Sequence, residues 1–346
     1  MMTAGRSTMF RLYSRTTTTT TRTKRHLIAF YYSTQSSRDK QPNKKDDLQH
    51  TIQMVQTYDP AGYLPGQLLP TTQMQEGYYA VRSFWVETGL RKQSSLGSIA
   101  VTSPQEYLNA WKDGITAVFD DNNQDKASSH PTLRLLHSLR PHFPSSDPFL
   151  QVLQARQYEL ESPQFRTLQE VKQHATRSCG NLLSLVLWTG DKTPTTHPYS
   201  HQAAQCLGQA HGLVQALRTS IPVLSNTGRL LLPQDLLQQE GVASPRYLLS
   251  ALSQGDEVGT AALARVVERM AVEARHSLQK ARQWQTEVRE ESSSAVLLPS
   301  YALETYLDRL AAKQYRLTDR SLRNVSWMEH AQCSFRMIFG YYNRTY

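Results

Sequence analysis

Long apolar runs are scarce in this 346-residue chain. The longest, Leu182 to Trp188, is too short to cross a bilayer, so any membrane contact has to be peripheral. The three cysteines, Cys179, Cys206 and Cys333, are odd in number and far apart, and they match no zinc or redox spacing. They read as structural thiols in a reducing compartment. There is no Gly-rich phosphate loop, no HExxH and no nucleophile elbow, which removes the commonest nucleotide, zinc-protease and acyl-transfer chemistries. Strictly alternating strand patterns and period-scale repeats are also missing. Acids are absent from residues 1–38, from residues 88–105 between Glu87 and Glu106, and from residues 192–234 between Asp191 and Asp235, among other stretches.

What is present begins with a core. Hydrophobic residues make up 39% of the chain, with five Trp and seventeen Tyr, ample for a folded domain. The formal charge of +9 is mostly local. Residues 1–38 hold seven bases (Arg6, Arg11, Arg15, Arg22, Lys24, Arg25 and Arg38); setting these aside leaves 31 bases against 29 acids. The body is therefore almost neutral, and a nucleic-acid partner loses its main support. Rich in Arg, Ser and Thr and free of acid, the segment has the composition of a mitochondrial targeting peptide, with a cut expected near Phe30 to Ser37. The competing reading is a disordered basic tail. Residues 39–50 read as a polar linker and 51–346 as the folded domain. The Asn324 and Asn343 sequons read as chance matches in an imported protein.

From Thr51 onward the pattern is helical. Leu207, Ala210, Val214 and Leu217 form one stripe, expected to stop at Pro222. Leu263, Val266, Val267, Met270, Ala274, Leu278 and Ala281 form a second. Leu168, Val171, Ala175, Leu182, Leu185 and Val186 suggest a third. Proline after Ser103, Asp147, Ser162, Thr193 and Ser244 marks helix starts or breaks. One all-α domain follows.

Four segments in order resemble the squalene/phytoene synthase family: Tyr78–Phe84 (YYAVRSF), Trp111–Asp113 with the later His130-Pro131, Gly208–Arg218 (GQAHGLVQALR) and Gly228–Pro233 (GRLLLP). The likeness extends over most of 58–346, through YDPAGYLPGQLLP, LPSYALETYLDRL and the terminal YNRTY, to a mitochondrial branch of the family that assists assembly of respiratory complex I. The resemblance implies an all-α, isoprenoid-synthase-like helical domain around a central cavity. It also implies a peripheral place on the matrix side of the inner membrane, with complex I subunits or other assembly factors as partners.

Catalytic members must neutralise a departing diphosphate with magnesium, and hard cations take oxygen ligands, chiefly aspartates on two facing helices. Here the first such places fall at or near Gly89, Leu90 and Gln93, and the second begins at Thr219, directly after Arg218. Glu87 is the nearest acid to the first cluster and reads otherwise as an ordinary polar residue at a helix edge. Arg218 and Arg229 could still meet an anion bidentately, or serve as a helix C-cap and a surface ion pair respectively. Glu87, Gly89, Leu90, Gln93, Arg218, Thr219 and Arg229 are thus a vestigial pocket, with no catalytic residue, no metal ligand and no cofactor expected. Asp120–Asp125 imitates an aspartate-rich signature but reads as a solvated loop. His197 and His201, four apart, read as exposed histidines at a helix start. An active prenyltransferase with relocated ligands, and a module binding a lipid or isoprenoid, stay as alternatives. Met337–Tyr342 (MIFGYY) is a candidate membrane face or a core segment.

Overall fold

Helix starts are where local sequence signals are strongest, and the structure uses them. Ser103 and Glu106 form a reciprocal capping box, each accepting the other's backbone N–H at 3.2 Å. Ser326 and Glu329 repeat it, Ser244 caps with its hydroxyl alone, and a ring nitrogen of His130 accepts from Thr132 N–H. The computed structural model describes residues 43–90, 103–120, 130–162 and 164–346. Gln93 and Asp121–Asp125, both singled out above, lie outside the described residues.

In chain order the first helices are α1 (Lys44–Tyr58), α2 (Pro60–Gln67), α3 (Thr72–Leu90), α4 (Pro104–Phe119), α5 (Pro131–Ser138), α6 (Asp147–Glu161), α7 (Leu168–Ala175) and α8 (Asn181–Trp188). There follow α9 (Pro198–Thr227), α10 (Gln234–Gln239), α11 (Pro245–Gln254), α12 (Glu257–Arg282), α13 (Gln285–Glu290), α14 (Ser300–Ala312) and α15 (Trp327–Asn343). Among the described residues the only extended pairing is an isolated bridge between Gln164 and Leu230.

The first two stripes are buried as their spacing predicts, and α9 and α12 bury them against each other along much of their length. The third runs through α7 and α8 across a wide π-type turn, Thr176–Gly180, which spends one extra residue on a single turn. Gly208 is why α9 fits there. A β-carbon at that position would stand 2.3 Å from the Gly180 backbone, so the two segments touch main chain to main chain.

Two expectations are corrected. Residues 44–50 of the expected linker are helical, and Asp47 in α1 is buried against Arg134 of α5, whose Nε donates to it at 3.0 Å. Nor does α9 stop at Pro222; it runs on to Thr227 and ends at Gly228 in the left-handed conformation, φ 70°. A mid-helix proline costs about 3 kcal/mol, but Ile221 and Leu224 around it are core residues, and Pro222 itself faces solvent, where water can reach the freed Arg218 carbonyl. Tertiary burial outweighs the local preference.

Candidate functional site

The aromatic helix α3 is buried on nearly every face from Gly77 to Thr88, so each polar group on it needs a partner from another element. Arg82 finds Asp59, which precedes α2, at 2.5 Å. Burial would strip its proton, and the Asp59 carboxylate more than restores it, so the guanidinium stays charged. Its carbon lies 5.5 Å from the Trp85 ring centre, and the Arg156 guanidinium from α6 lies 4.9 Å from the same ring. Gly89 leaves room for Arg156, whose Nη2 would stand 3.1 Å from any β-carbon there. On the α9 side, His211 stacks obliquely on Trp85 at 5.6 Å. Burial, and then the charges of Arg82, Arg218 and Arg156, push its pKa well down, so this imidazole is neutral.

Glu87 is no helix-edge residue, which corrects the expectation for it: it is 5% exposed. Ser83 Oγ and Thr132 Oγ1 each donate to its Oε1 at 2.6 Å, and His130 Nε2 lies 3.0 Å from its Oε2. Burial alone would raise its pKa; the His130 imidazole, and more weakly that of His50, hold the carboxyl well below the usual carboxylate range. His50, Glu87 and His130 come close enough to suggest a metal, with a ligand atom from each within 4.8 Å of the others. The caps argue against one. His130 Nδ1 accepts the Thr132 N–H at 3.3 Å, which puts the ring proton on Nε2, between that nitrogen and Glu87. The knot therefore ties α1, α3 and the start of α5 together around one buried carboxylate.

The other predicted residues sit elsewhere. Arg218 is not a C-cap; it lies within α9, exposed, with its guanidinium 5.6 Å from the Tyr306 ring centre. It opens onto a cleft of about 400 Å³ whose apolar wall includes Leu64, Leu217, Ile221, Tyr306 and Met337. Thr219 returns its hydroxyl to the Gln215 carbonyl at 2.8 Å. Arg229 donates from Nη2 to the Ser162 carbonyl at the end of α6. Leu90 is half-buried and packs against the core. The structure thus brings Glu87, Gly89 and Leu90 together on α3 but places Arg218 and Thr219 in a different environment. Sequence reasoning missed Arg82, Trp85, Arg156 and His211, although a charged residue inside an unbroken apolar helix signals a hidden partner.

Other expectations shift as well. His201 is buried, not exposed; its Nε2 lies 2.8 Å from the Lys192 carbonyl, and His197 is half-buried. Asp120 is the C-cap of α4. Cys179 is buried, whereas Cys206 and Cys333 are half-buried; burial raises the pKa of each thiol and keeps it protonated.

Hard divalent cations need several converging oxygen ligands. Around Trp85 and His211 the described side chains offer two buried guanidiniums, an indole and a neutral imidazole, and the nearest carboxylates, Asp59 and Glu159, are each held by one of those guanidiniums. That set does not fit magnesium.

Against known proteins, the squalene/phytoene synthase family model matches residues 55–329. The chain belongs to that family. A bovine relative named NADH dehydrogenase (ubiquinone) complex I, assembly factor 6, is 24% identical over 274 residues, covering 79% of this chain and 77% of the relative. A Dictyostelium discoideum homolog of the same name is 23% identical over 271 residues, covering 78% of this chain and 72% of its own length. Among solved structures, a dehydrosqualene synthase aligns with TM-score 0.68 at 18% identity over 88% of this chain and 98% of that one. Squalene synthase HpnC from Alicyclobacillus acidocaldarius aligns with TM-score 0.61 at 14% identity, over 79% and 96%. At these identities the solved structures establish the all-α fold alone.

Proposed function

We propose that this protein is a non-catalytic assembly factor for mitochondrial respiratory complex I, built on a prenyl-synthase scaffold that has lost its magnesium-binding aspartates. The observation that carries the reading is the charge of the interior. The stretches after Glu87 and after Arg218 contain no acid, and among the described residues Arg82 and Arg156 pack on Trp85 of α3. The acids nearest them, Asp59, Glu159 and Glu87, are already committed to Arg82, Arg156 and His130, and so are not offered to the divalent ions that would draw off a diphosphate. The relatives named as complex I assembly factors, matched over about four-fifths of the chain, supply the cellular role.

The acid-free segment 1–38 supports import into mitochondria. No helix among the described residues is long and apolar enough to cross a membrane, which is compatible with a peripheral place on the matrix side of the inner membrane. The partners are complex I subunits or other assembly factors.

Deleting the gene and resolving respiratory complexes on native gels tests the proposal. Complex I should fall selectively; normal complex I abundance and activity would sink it. Purified protein given farnesyl or geranylgeranyl diphosphate with magnesium should show no turnover, and turnover would restore the reading as an active prenyltransferase. The cleft beside Arg218 favours one addition, a lipid or isoprenoid tail lying along its apolar wall. Native mass spectrometry of the purified protein would show such a ligand retained.

A further inference from the structure

The C-terminal helix α15 carries large apolar side chains that none of the described residues covers. Trp327 is 79% exposed, Met328 64%, Phe335 68%, Phe339 61% and Tyr342 78%, with Ile338 at 37%. At 3.6 residues per turn these six positions fall within an arc of about 120° on one side of the helix. Only Ala331 shares that arc, so it holds no charged residue. The opposite side is fixed to the body. Met337 and Gly340 are buried, Gly340 lies against the Tyr301 ring, and Arg336 bonds Glu304 at 2.5 Å and caps the Tyr301 ring at 5.2 Å. The apolar arc is therefore presented outward by a helix held on its back.

The geometry points to α15 as a docking face for an anionic lipid bilayer, the helix lying flat in the interface. Three observations select a bilayer over another protein. The arc is aromatic at both ends, Trp327 and Tyr342, the residue types whose amphipathic rings settle at headgroup level. The chain leading into and out of it is basic: between Lys313 and Tyr346, beyond the pairs Lys313–Asp319, Arg336–Glu304 and Arg309–Glu329, stand Arg316, Arg320, Arg323 and Arg344 with no further acid. Finally, Arg316, Arg320 and Arg344 are exposed, as binding to anionic headgroups requires. A 17-residue helix is about 25 Å long, suited to lying in the interface plane with its apolar side sunk among the acyl chains.

This inference rests on the reading of the protein as a peripheral membrane protein and names its contact surface. The test is flotation of the folded protein, lacking residues 1–38, with vesicles of phosphatidylcholine alone or of an equal mixture of phosphatidylcholine and phosphatidylglycerol. That piece retains every described helix. Wild type should float with the mixed vesicles and be released by high salt. The triple variant Trp327→Ser, Phe335→Ser, Phe339→Ser should lose about tenfold or more of that partition while its circular dichroism and melting temperature stay unchanged. Equal flotation of variant and wild type would overturn the assignment of α15 while leaving a peripheral location standing. Failure of wild type to bind either vesicle would overturn lipid docking altogether. A dimer in sedimentation that the variant dissolves would give the face to a second copy and also overturn the proposal. Complementation of complex I in deleted cells judges the assembly role separately, because it does not read lipid binding.

Discussion

Two helices of this molecule treat their aromatic residues in opposite ways. In α3 the aromatics are sealed, and the charges among them, Arg82 and Glu87, are each matched by a partner from another element. In α15 the aromatics face outward and the helix's charges, Glu329 and Arg336, sit on the side that meets the body. The difference shows where each helix draws its free energy. Burying α3 is intramolecular and already complete, so its polar groups must be satisfied within the fold. The apolar arc of α15 stays largely exposed after folding, and the rest of its burial is left for association.

The largest effect that would break this comparison lies at Glu87. Removing one member of a buried, hydrogen-bonded charge cluster costs about 3–5 kcal/mol, so Glu87→Leu should lower the denaturant midpoint severely or prevent folding. A variant as stable as wild type would mean that α3 is not held by this knot. Gly208→Ala comes next. Its methyl group meets the Gly180 backbone, and overpacking of that kind costs about 1–3 kcal/mol in thermal or chemical unfolding. An unchanged melting temperature would show that α9 and the π-type turn can separate freely.

Acid sharpens the same contrast. His211 has a folded pKa well below its ordinary 6.5, so the folded state holds fewer protons than the unfolded chain once pH drops below that value. Its contribution is complete above pH 6.5 and drains away as pH falls toward the folded pKa, at a limiting slope of about 1.4 kcal/mol per pH unit. His211→Gln should flatten the pH dependence of the unfolding midpoint between neutral pH and pH 5, read in otherwise identical buffers. His201, lowered chiefly by burial, adds in the same direction, so the slope should shrink without vanishing. Smallest of all, the triple serine variant of α15 should shift folding stability by no more than about 0.5 kcal/mol, the range of ordinary surface substitutions. A large loss would mean that this face is packed in the folded protein.

Much of the fold was legible because helical periodicity and proline-led caps are local signals. The three apolar stripes and the caps at Ser103 and Ser244 needed only neighbours within a few residues. What escaped was set by distant parts of the chain. Glu87 looks ordinary in sequence; its partners His50, His130 and Thr132 come from α1 and the start of α5, and nothing local announces them. Pro222 was misread for a related reason, since proline's local penalty is visible in sequence and the core contacts of Ile221 and Leu224 are not. The linker was overextended by the polarity of Lys44–His50, where Asp47 is in truth an internal residue waiting for Arg134. Of α15 only Met337–Tyr342 stood out in the sequence, and whether it faces out or packs inside depends on distant elements: Met337 and Gly340 are buried, while Phe339 and Tyr342 are exposed.

The Asp47–Arg134 pair also limits how far the chain can be trimmed from its start. A protease that trimmed the chain beyond Lys44 would remove the first turn of α1 and threaten the carboxylate that neutralises a guanidinium on α5. On the import proposed above, processing would finish upstream of α1, and an enzyme that trimmed further would leave an unfolding substrate.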